Sequence, residues 1–422
     1  VKLIKAENIA DIIGPSAKIG LGNACAEPQT IIDALIEARR AFESVEIYGM
    51  IHYWTHRFRE YDLGKNFKLK SFMVDRYTLE GIKQGFVDYI PCRYSGIPDL
   101  FLNDTIQLDA ALISVSPPDS KGNCTFGVSS DFTMAMAKKA KTVVAEINEK
   151  MPRVYGENVI NLNEIHYAIE TNRPLPQVHT HELTDRDLQI GENVSQLIDD
   201  GATIQIGIGR LSEASLASFH GKRWLGVHSG LLTDGIVDLV EKGIVDNSRK
   251  GLKNGKIVTT TMIGTDKLFK FVHDNRTVES HPSNYTHHQL TLAKLNKLHA
   301  INSAIQVDLS GQINAETLGG IQVSGVGGQT DFICGAALSE GGKAIIVISS
   351  ATSGEKRSRI VPYLDHGAAV TSLRHDVDYV VTEYGIARLK GKSLKERADA
   401  LIAIAHPKFK DELEFARRTL YL

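Results

Sequence analysis

The stretch Leu225-Gly-Val-His-Ser-Gly-Leu-Leu-Thr-Asp-Gly-Ile-Val-Asp-Leu-Val240 decides how the rest of the chain is read. It opens apolar and extended, then turns through His228, Ser229 and Gly230. Leu231, Asp234, Gly235, Asp238 and Leu239 follow at helical spacing, which predicts that the turn runs straight into a helix. A strand that turns sharply into a helix puts its turn residues at the carboxyl end of a sheet, where open α/β sheets bind ligands. Just upstream, Thr203-Ile-Gln-Ile206 reads as a strand that runs into Gly207-Ile-Gly-Arg-Leu211, and a helix opens over Ser212 to Ala217. Strand, Gly-x-Gly, helix start suits a phosphate, because unpaired helix N–H groups point outward there. The third glycine of a dinucleotide fingerprint would fall at Ser212, so dinucleotide binding is not supported. A small-residue turn with no ligand is the other reading.

Working outward, the same alternation recurs on both sides. In the first half, residues 1 to 18 read as a helical lead-in. Ile19-Gly-Leu-Gly-Asn-Ala-Cys-Ala-Glu-Pro28 then leads into a helix marked by Ile31 and Leu35. Gly20, Gly22 and Asn23 allow either a ligand or a neighbouring backbone to come close. Strands are expected at Val45–Tyr48, Phe67–Val74, Val87–Ile90, Ala110–Val115 and Thr142–Ile147, with helices at Tyr77–Lys83 and Asp131–Lys141. Beyond the central stretch, Lys256–Ile263 is a strongly β-forming run and His299–Val307 reads as a strand, while the closing part holds Gly341–Ile348 and Val380–Ala387. Val323-Ser-Gly-Val-Gly-Gly-Gln-Thr-Asp-Phe332 reads as a glycine loop before a helix. Strands alternating with helices argue for mainly parallel sheets covered on both faces. The expected architecture is α/β, two similar mainly parallel-sheet domains. Asn172-Arg-Pro-Leu-Pro-Gln177 serves as linker, with domains over residues 1–180 and 181–422. His179 and His181 are two apart on one extended face. No third or fourth ligand can be named nearby, so no metal is expected.

Bulk composition limits the function classes. At 422 residues the chain is too long for one ordinary core. A net charge of −2 supplies no basic field for nucleic acid or an anionic membrane. The four cysteines, Cys25, Cys92, Cys124 and Cys334, form no CxxC, so reduced thiols in a cytoplasmic enzyme are expected. Neither a charged-then-apolar leader nor an apolar run of about 18 residues is present, so no membrane span is expected.

A series of motifs carries a resemblance over nearly the whole chain. They include Gly22-Asn-Ala-Cys-Ala-Glu-Pro28, Pro117-Pro-Asp119, Gly207-Ile-Gly209, Ile301-Asn-Ser303, Val307-Asp-Leu-Ser-Gly-Gln312, Gly325-Val-Gly-Gly-Gln-Thr-Asp-Phe332, Ser358-Arg-Ile-Val-Pro362, Val381-Thr-Glu-Tyr-Gly385 and Ala405-His-Pro407. In number and order they resemble the acetyl-CoA hydrolase/transferase family, which includes the 4-hydroxybutyrate and acetate CoA-transferases. The resemblance implies two CoA-transferase-like α/β domains, coenzyme A bound mainly by the second, and a homodimer. CoA thioesters and small carboxylates are then the substrates, with no metal. It also implies a Glu nucleophile that attacks the thioester and a donor pair for the developing oxyanion. By motif, Asn284 and the backbone at Gly325 resemble that donor pair. Gly207, Ile208, Gly209, Arg210 and Leu211 resemble the CoA loop, and Ile301, Gly325 and Lys343 resemble further CoA contacts.

The nucleophile departs from the pattern. The family segment reads His-Ser-Glu, whereas this chain has His228-Ser-Gly230. Three readings stay open. The pocket works by altered chemistry such as hydrolysis by bound water, another carboxylate (Glu27, Glu213 or Glu316) replaces the Glu, or the protein binds CoA thioesters without turnover. Position 230 without a side chain also predicts an enlarged acyl pocket.

Overall fold

The computed structural model describes residues 1–59, 65–179 and 182–419. The chain folds into two compact units. The first comprises Val1–His179, Leu232–Asp234 and Val258–Thr286; the second comprises Thr180–Leu231, Gly235–Ile257 and His287–Leu422. The second half of the sequence therefore contributes to both units, and a single cut near residue 180 does not describe them.

The first unit is built on eight parallel strands. Their spatial order is Lys2–Leu3, Tyr167–Thr171, Thr142–Asn148, Ala110–Val115, Lys18–Leu21, Val45–Gly49, Phe67–Ser71, Val87–Tyr89. All six residues of Ala110–Val115 are buried, as a central strand covered on both faces requires. Helix Gln29–Glu37 turns Ile31, Ile32, Leu35 and Ile36 toward one apolar core. Phe72, Phe101, Phe126 and Phe132 fill a second. The amino-terminal lead-in is a short strand, Lys2–Leu3, followed by a 3-10 helix at Ala6–Asp11, rather than one helical segment.

The second unit has a six-stranded sheet in the order Gly226–Val227, Thr203–Ile206, Leu298–Ser303, Lys343–Val347, Tyr379–Thr382, Gly385–Arg388. All neighbours are parallel except the last pair, which forms an antiparallel hairpin. The β-branched run Ile345, Ile346, Val347 and Ile348 is fully buried, with Leu298, Ala300, Val380 and helix residues Phe332, Ile333 and Leu401 around it. Helices Asp185–Leu197 and Arg210–Ala217 cross closely at Gly191. A Cβ on Gly191 would lie 2.3 Å from the Ala214 carbonyl oxygen, so only glycine fits.

Several sequence expectations are corrected in detail. Lys256–Ile263 divides into two short strands, Ile257–Thr259 and Thr261–Met262, and His299–Val307 into Leu298–Ser303 and Gln306–Asp308. In the central stretch, Leu231–Leu232 is a two-residue strand and the helix begins only at Asp234. Asp234 is held there by the Thr265 and Leu268 amides, both donating to its carboxylate at 3.0 Å. His181 lies outside the described residues.

Candidate active site

Because its strands are parallel, the second unit brings the residues after each strand to one edge. Gly207 follows Ile206, His228 follows Val227, Ile348 follows Val347, and Glu383 follows Thr382. That is the edge where α/β sheets bind ligands. The Gly207 amide donates to the Ile301 carbonyl at 2.9 Å. A Cβ at Gly207 would come within 3.2 Å of the Asn302 side-chain oxygen. Asn302 and Gln205 exchange hydrogen bonds of 2.9 and 3.2 Å through their buried amides, which stiffens the base of the loop. Gly209 has a φ of +121°, a region open to glycine, and starts helix Arg210–Ala217. Ile208 is exposed, and Arg210 pairs with buried Asp187 at 3.1 Å. Loop and helix start thus present exposed backbone with one positive side chain beside it.

The Ser229 hydroxyl locks the neighbouring turn. It accepts from the Ile206 amide and donates to the Ile206 carbonyl, each at 3.2 Å. This fixes Gly230 immediately after it. The space a side chain at Gly230 would enter is filled by the imidazole of His287, whose Cε1 would lie 2.6 Å from a Cβ there. The same ring fills the space beside Gly328, with Cδ2 and Nε2 each 2.5 Å from a Cβ position. Phe332 packs edge-on against it, ring centroids 4.7 Å apart and planes at 64°. His287 itself is 1% exposed, while Gly230 and Gly328 are half-buried.

The remaining predicted residues separate. Gly325 is buried in the loop before helix Gln329–Leu338, behind which the Val323 and Ser324 amides donate to the Glu316 carbonyl at 2.8 and 3.0 Å. Leu211 lies in the first turn of helix Arg210–Ala217. Ile301 is a core residue with its side chain fully buried, and its carbonyl is taken by Gly207. Lys343 is not brought to this edge. It begins strand Lys343–Val347 at the opposite end, where its ammonium donates to the Leu197 carbonyl at 2.7 Å and to Asp199 at 3.0 Å. Burial there, together with the Lys343 charge, pushes the neighbouring His299 well below the usual imidazole range. Asn284 belongs to the first unit, where with Phe126, Met134 and Pro282 it lines a groove of about 310 Å³. Of the stretch Ser283–His288, the residue packed against Gly230 is His287.

The three carboxylates considered as substitutes are all engaged. Glu27, in the first unit, is 1% exposed and accepts from the Trp54 and Thr55 amides and the Thr55 hydroxyl. Its loop is a packed strand–helix turn, since Asn23 is 1% exposed and donates to Asp131 at 2.6 Å. Glu316 accepts from the Thr371 hydroxyl at 2.9 Å. Glu213 sits in the first turn of helix Arg210–Ala217, 2.9 Å from a Cβ position at Gly235.

Two further groups at the edge were not singled out from sequence. Glu383 accepts from the Ser350 amide at 2.9 Å and its hydroxyl at 2.7 Å, with Arg186 at 3.6 Å. Burial draws the Arg359 guanidinium below its ordinary value, and Glu383 opposes that. A glutamate directly after a β-branched strand was a usable signal for Glu383. Nothing local marks His287, because its neighbours Gly230 and Gly328 are distant in sequence.

Comparison with known proteins identifies the family. Residues 1–179 match the acetyl-CoA hydrolase/transferase N-terminal domain and residues 264–416 the C-terminal domain of the same name. The chain is 43% identical to the 4-hydroxybutyrate coenzyme A transferase of Clostridium kluyveri, covering 99% of this chain and 98% of that protein. The crystal structure of 4-hydroxybutyrate CoA-transferase from Porphyromonas gingivalis superposes with a TM-score of 0.85 at 34% identity, covering 99% of this chain and 98% of that one. RipA from Yersinia pestis superposes with a TM-score of 0.94 at 31% identity, covering 100% and 98%. With family domains matched at both ends and full-length identity to a CoA transferase, the chain belongs to the acetyl-CoA hydrolase/transferase family of enzymes.

Proposed function

We propose that this protein acts on short-chain acyl-CoA thioesters, and that Gly230 stands where the resembling enzymes carry their nucleophilic Glu. Full-length similarity to a 4-hydroxybutyrate coenzyme A transferase supports the substrate class. The exposed Gly207–Arg210 turn into a helix at the carboxyl edge supports a CoA site in the second unit. The observation that carries the departure is the occupied space at Gly230. A glutamate side chain cannot start there while the His287 ring is in place. Loss of a covalent nucleophile costs several orders of magnitude in rate. Glu-dependent CoA transfer is therefore absent, and cleavage goes by a route without an enzyme–CoA thioester. The same reading carries a cytoplasmic homodimer with all four cysteines as free thiols; the dimer is checked by light scattering.

The test is acetyl-CoA and butyryl-CoA turnover, with and without acetate as acceptor, together with mass analysis for a covalent CoA adduct. The protein as it stands binds CoA, cleaves thioester and shows no adduct. Gly230→Glu alone gains no transfer. Gly230→Glu combined with His287→Ala, which clears the ring, gains transfer and the adduct. A covalent CoA adduct on the unaltered protein, or no affinity for CoA, overturns the proposal.

A further inference from the structure

We propose that a cavity beyond the carboxyl edge of the second unit binds a phosphorylated adenosine, the group found at the nucleotide end of coenzyme A and in free adenine nucleotides. The coenzyme form of this inference rests on the reading just given, that CoA occupies this edge.

Three motifs that the Gly207 turn leaves without a role meet at this cavity. Strand Ile360–Val361, from Ser358-Arg-Ile-Val-Pro362, pairs in parallel with Gln306–Asp308, where the motif Val307–Gln312 begins. Ala405-His-Pro407 runs into the 3-10 turn Pro407–Phe409 and then helix Lys410–Thr419. Residues of all three segments line a cavity of about 330 Å³, a volume that holds a small ligand. Its walls follow the carboxyl ends of strands Leu298–Ser303 and Lys343–Val347. Gln306 is five residues past Ile301, whose carbonyl accepts from the Gly207 amide, so the two lie within roughly 17 Å of one another.

The lining matches one chemical group. Lys356 and Arg357 are exposed at the cavity, and neither makes an ion pair among the described residues. The Thr352 amide donates to the Arg357 carbonyl at 2.9 Å and the Arg357 amide to the Thr352 hydroxyl at 3.1 Å, which closes the turn that carries both cations. Two adjacent cations suit a phosphate. Gln306 lines the cavity while only 9% exposed. Its side-chain oxygen accepts from the Asp365 amide at 3.3 Å and from Asn314 at 3.4 Å, so its N–H₂ is the half left to donate to a ligand. Phe409 supplies an aromatic face for a flat ring. The carboxylates of Asp365 and Glu412 supply acceptors, which suit ribose hydroxyls and an exocyclic amine. The Phe409 wall is fastened to the cationic turn, because the Lys408 ammonium donates to the Glu355 carbonyl at 3.0 Å and His406 lies 3.5 Å from the Glu355 carboxylate. An aliphatic acyl chain would leave the cations unmatched, and a simple carboxylate would leave the ring face and the two acceptors unmatched. A phosphorylated adenosine matches all of them.

The experiment titrates the full-length protein and its Lys356→Ala/Arg357→Ala variant by calorimetry. The ligands are CoA, dephospho-CoA (which lacks only the 3′-phosphate) and ADP. Charge-assisted contacts to one phosphate are worth roughly ten-fold or more in affinity. If the occupant is the end of the coenzyme, CoA binds about ten-fold or more tighter than dephospho-CoA, and the double variant binds the two within about three-fold of each other. If it is a free nucleotide, ADP binds about ten-fold or more tighter to the unaltered protein than to the double variant, and saturating CoA does not displace it. Lys294→Ala/Lys297→Ala removes two exposed cations before strand Leu298–Ser303, at its amino end, and should leave every affinity unchanged. An equal loss in that control would reveal a diffuse positive field and overturn the assignment. If the Lys356→Ala/Arg357→Ala variant matches the unaltered protein for all three ligands while CoA binds, the nucleotide cavity falls and the CoA-site reading stands. If CoA fails to bind while ADP binds through Lys356 and Arg357, the CoA-site reading falls and the cavity stands. If nothing binds, both fall.

Discussion

At the scale of single residues, burial decides what a titratable group contributes. Glu146 is 1% exposed in the first unit, on strand Thr142–Asn148. It accepts from the Thr30 and Ile31 amides at 2.7 and 3.3 Å, the unpaired donors at the start of helix Gln29–Glu37. Burial nevertheless outweighs those hydrogen bonds and the nearby Arg173, and its carboxyl is raised from 4.5 to about 7. A carboxylate raised on folding binds more protons in the folded state between those two values. Stability therefore falls as pH rises from about 4.5 to about 7, by on the order of 3 kcal/mol once the group is ionised. Glu146→Gln keeps an acceptor for the two amides and removes the titration. Its stability relative to the unaltered protein should climb across that window and level off above it, read from denaturant melts at pH 4.5, 6 and 8. A difference that stays constant with pH would refute the assignment. The same scale holds the Gly230–His287 pair, where a missing side chain and a buried ring explain one another.

At the scale of elements, the site depends on how closely two helices approach. Helix Asp185–Leu197 meets helix Arg210–Ala217 at Gly191, and the atom facing it is a backbone carbonyl that cannot rotate away. Overpacking of this kind costs about 1–3 kcal/mol. Gly191→Ala should push helix Arg210–Ala217 outward. Its first turn carries the Gly207–Arg210 loop, so the effect extends beyond stability. The expected outcome is a lower melting temperature together with weaker CoA affinity, measured by calorimetry. Unchanged affinity in a destabilised variant would show that the loop is held independently of the helix crossing. The Gln205–Asn302 amide pair would be the holding element in that case.

At the scale of the whole molecule, the chain does not divide by a single cut. The first unit closes only with residues 232–234 and 258–286. Within it, strand Val278–Ser280 pairs with Tyr155–Gly156, and Ser130 and Ser280 share a 2.8 Å hydrogen bond. Tyr94 reaches Thr261 at 2.9 Å, and both residues are buried. A fragment of residues 1–179 loses these partners and leaves buried polar groups unmatched, each at a cost of about 1–3 kcal/mol. It should melt without a cooperative transition and bind a hydrophobic dye, whereas the full chain does neither. A fragment with a sharp transition would show that the first 179 residues suffice for the fold.

Local patterns in the sequence determined much of this protein. Apolar β-branched runs such as Ala110–Val115 and Ala344–Ile348 mark buried parallel strands, and Pro28, Gly207 and Gly209 mark turns into helices, because those signals depend on neighbours in the chain. The motif series placed the chain in its family for the same reason. Tertiary structure alone decided which distant residues meet. Lys343 looked like a CoA contact, but its place at the start of a parallel strand carries it to the edge away from Gly207. Leu231 fits helical spacing, yet Leu231–Leu232 is a short strand before the helix at Asp234. His287 carried no local signal, because its setting is made by two glycines 98 positions apart. Spacing along a chain encodes the direction and burial of an element; it does not encode which side chain fills the space another position leaves empty.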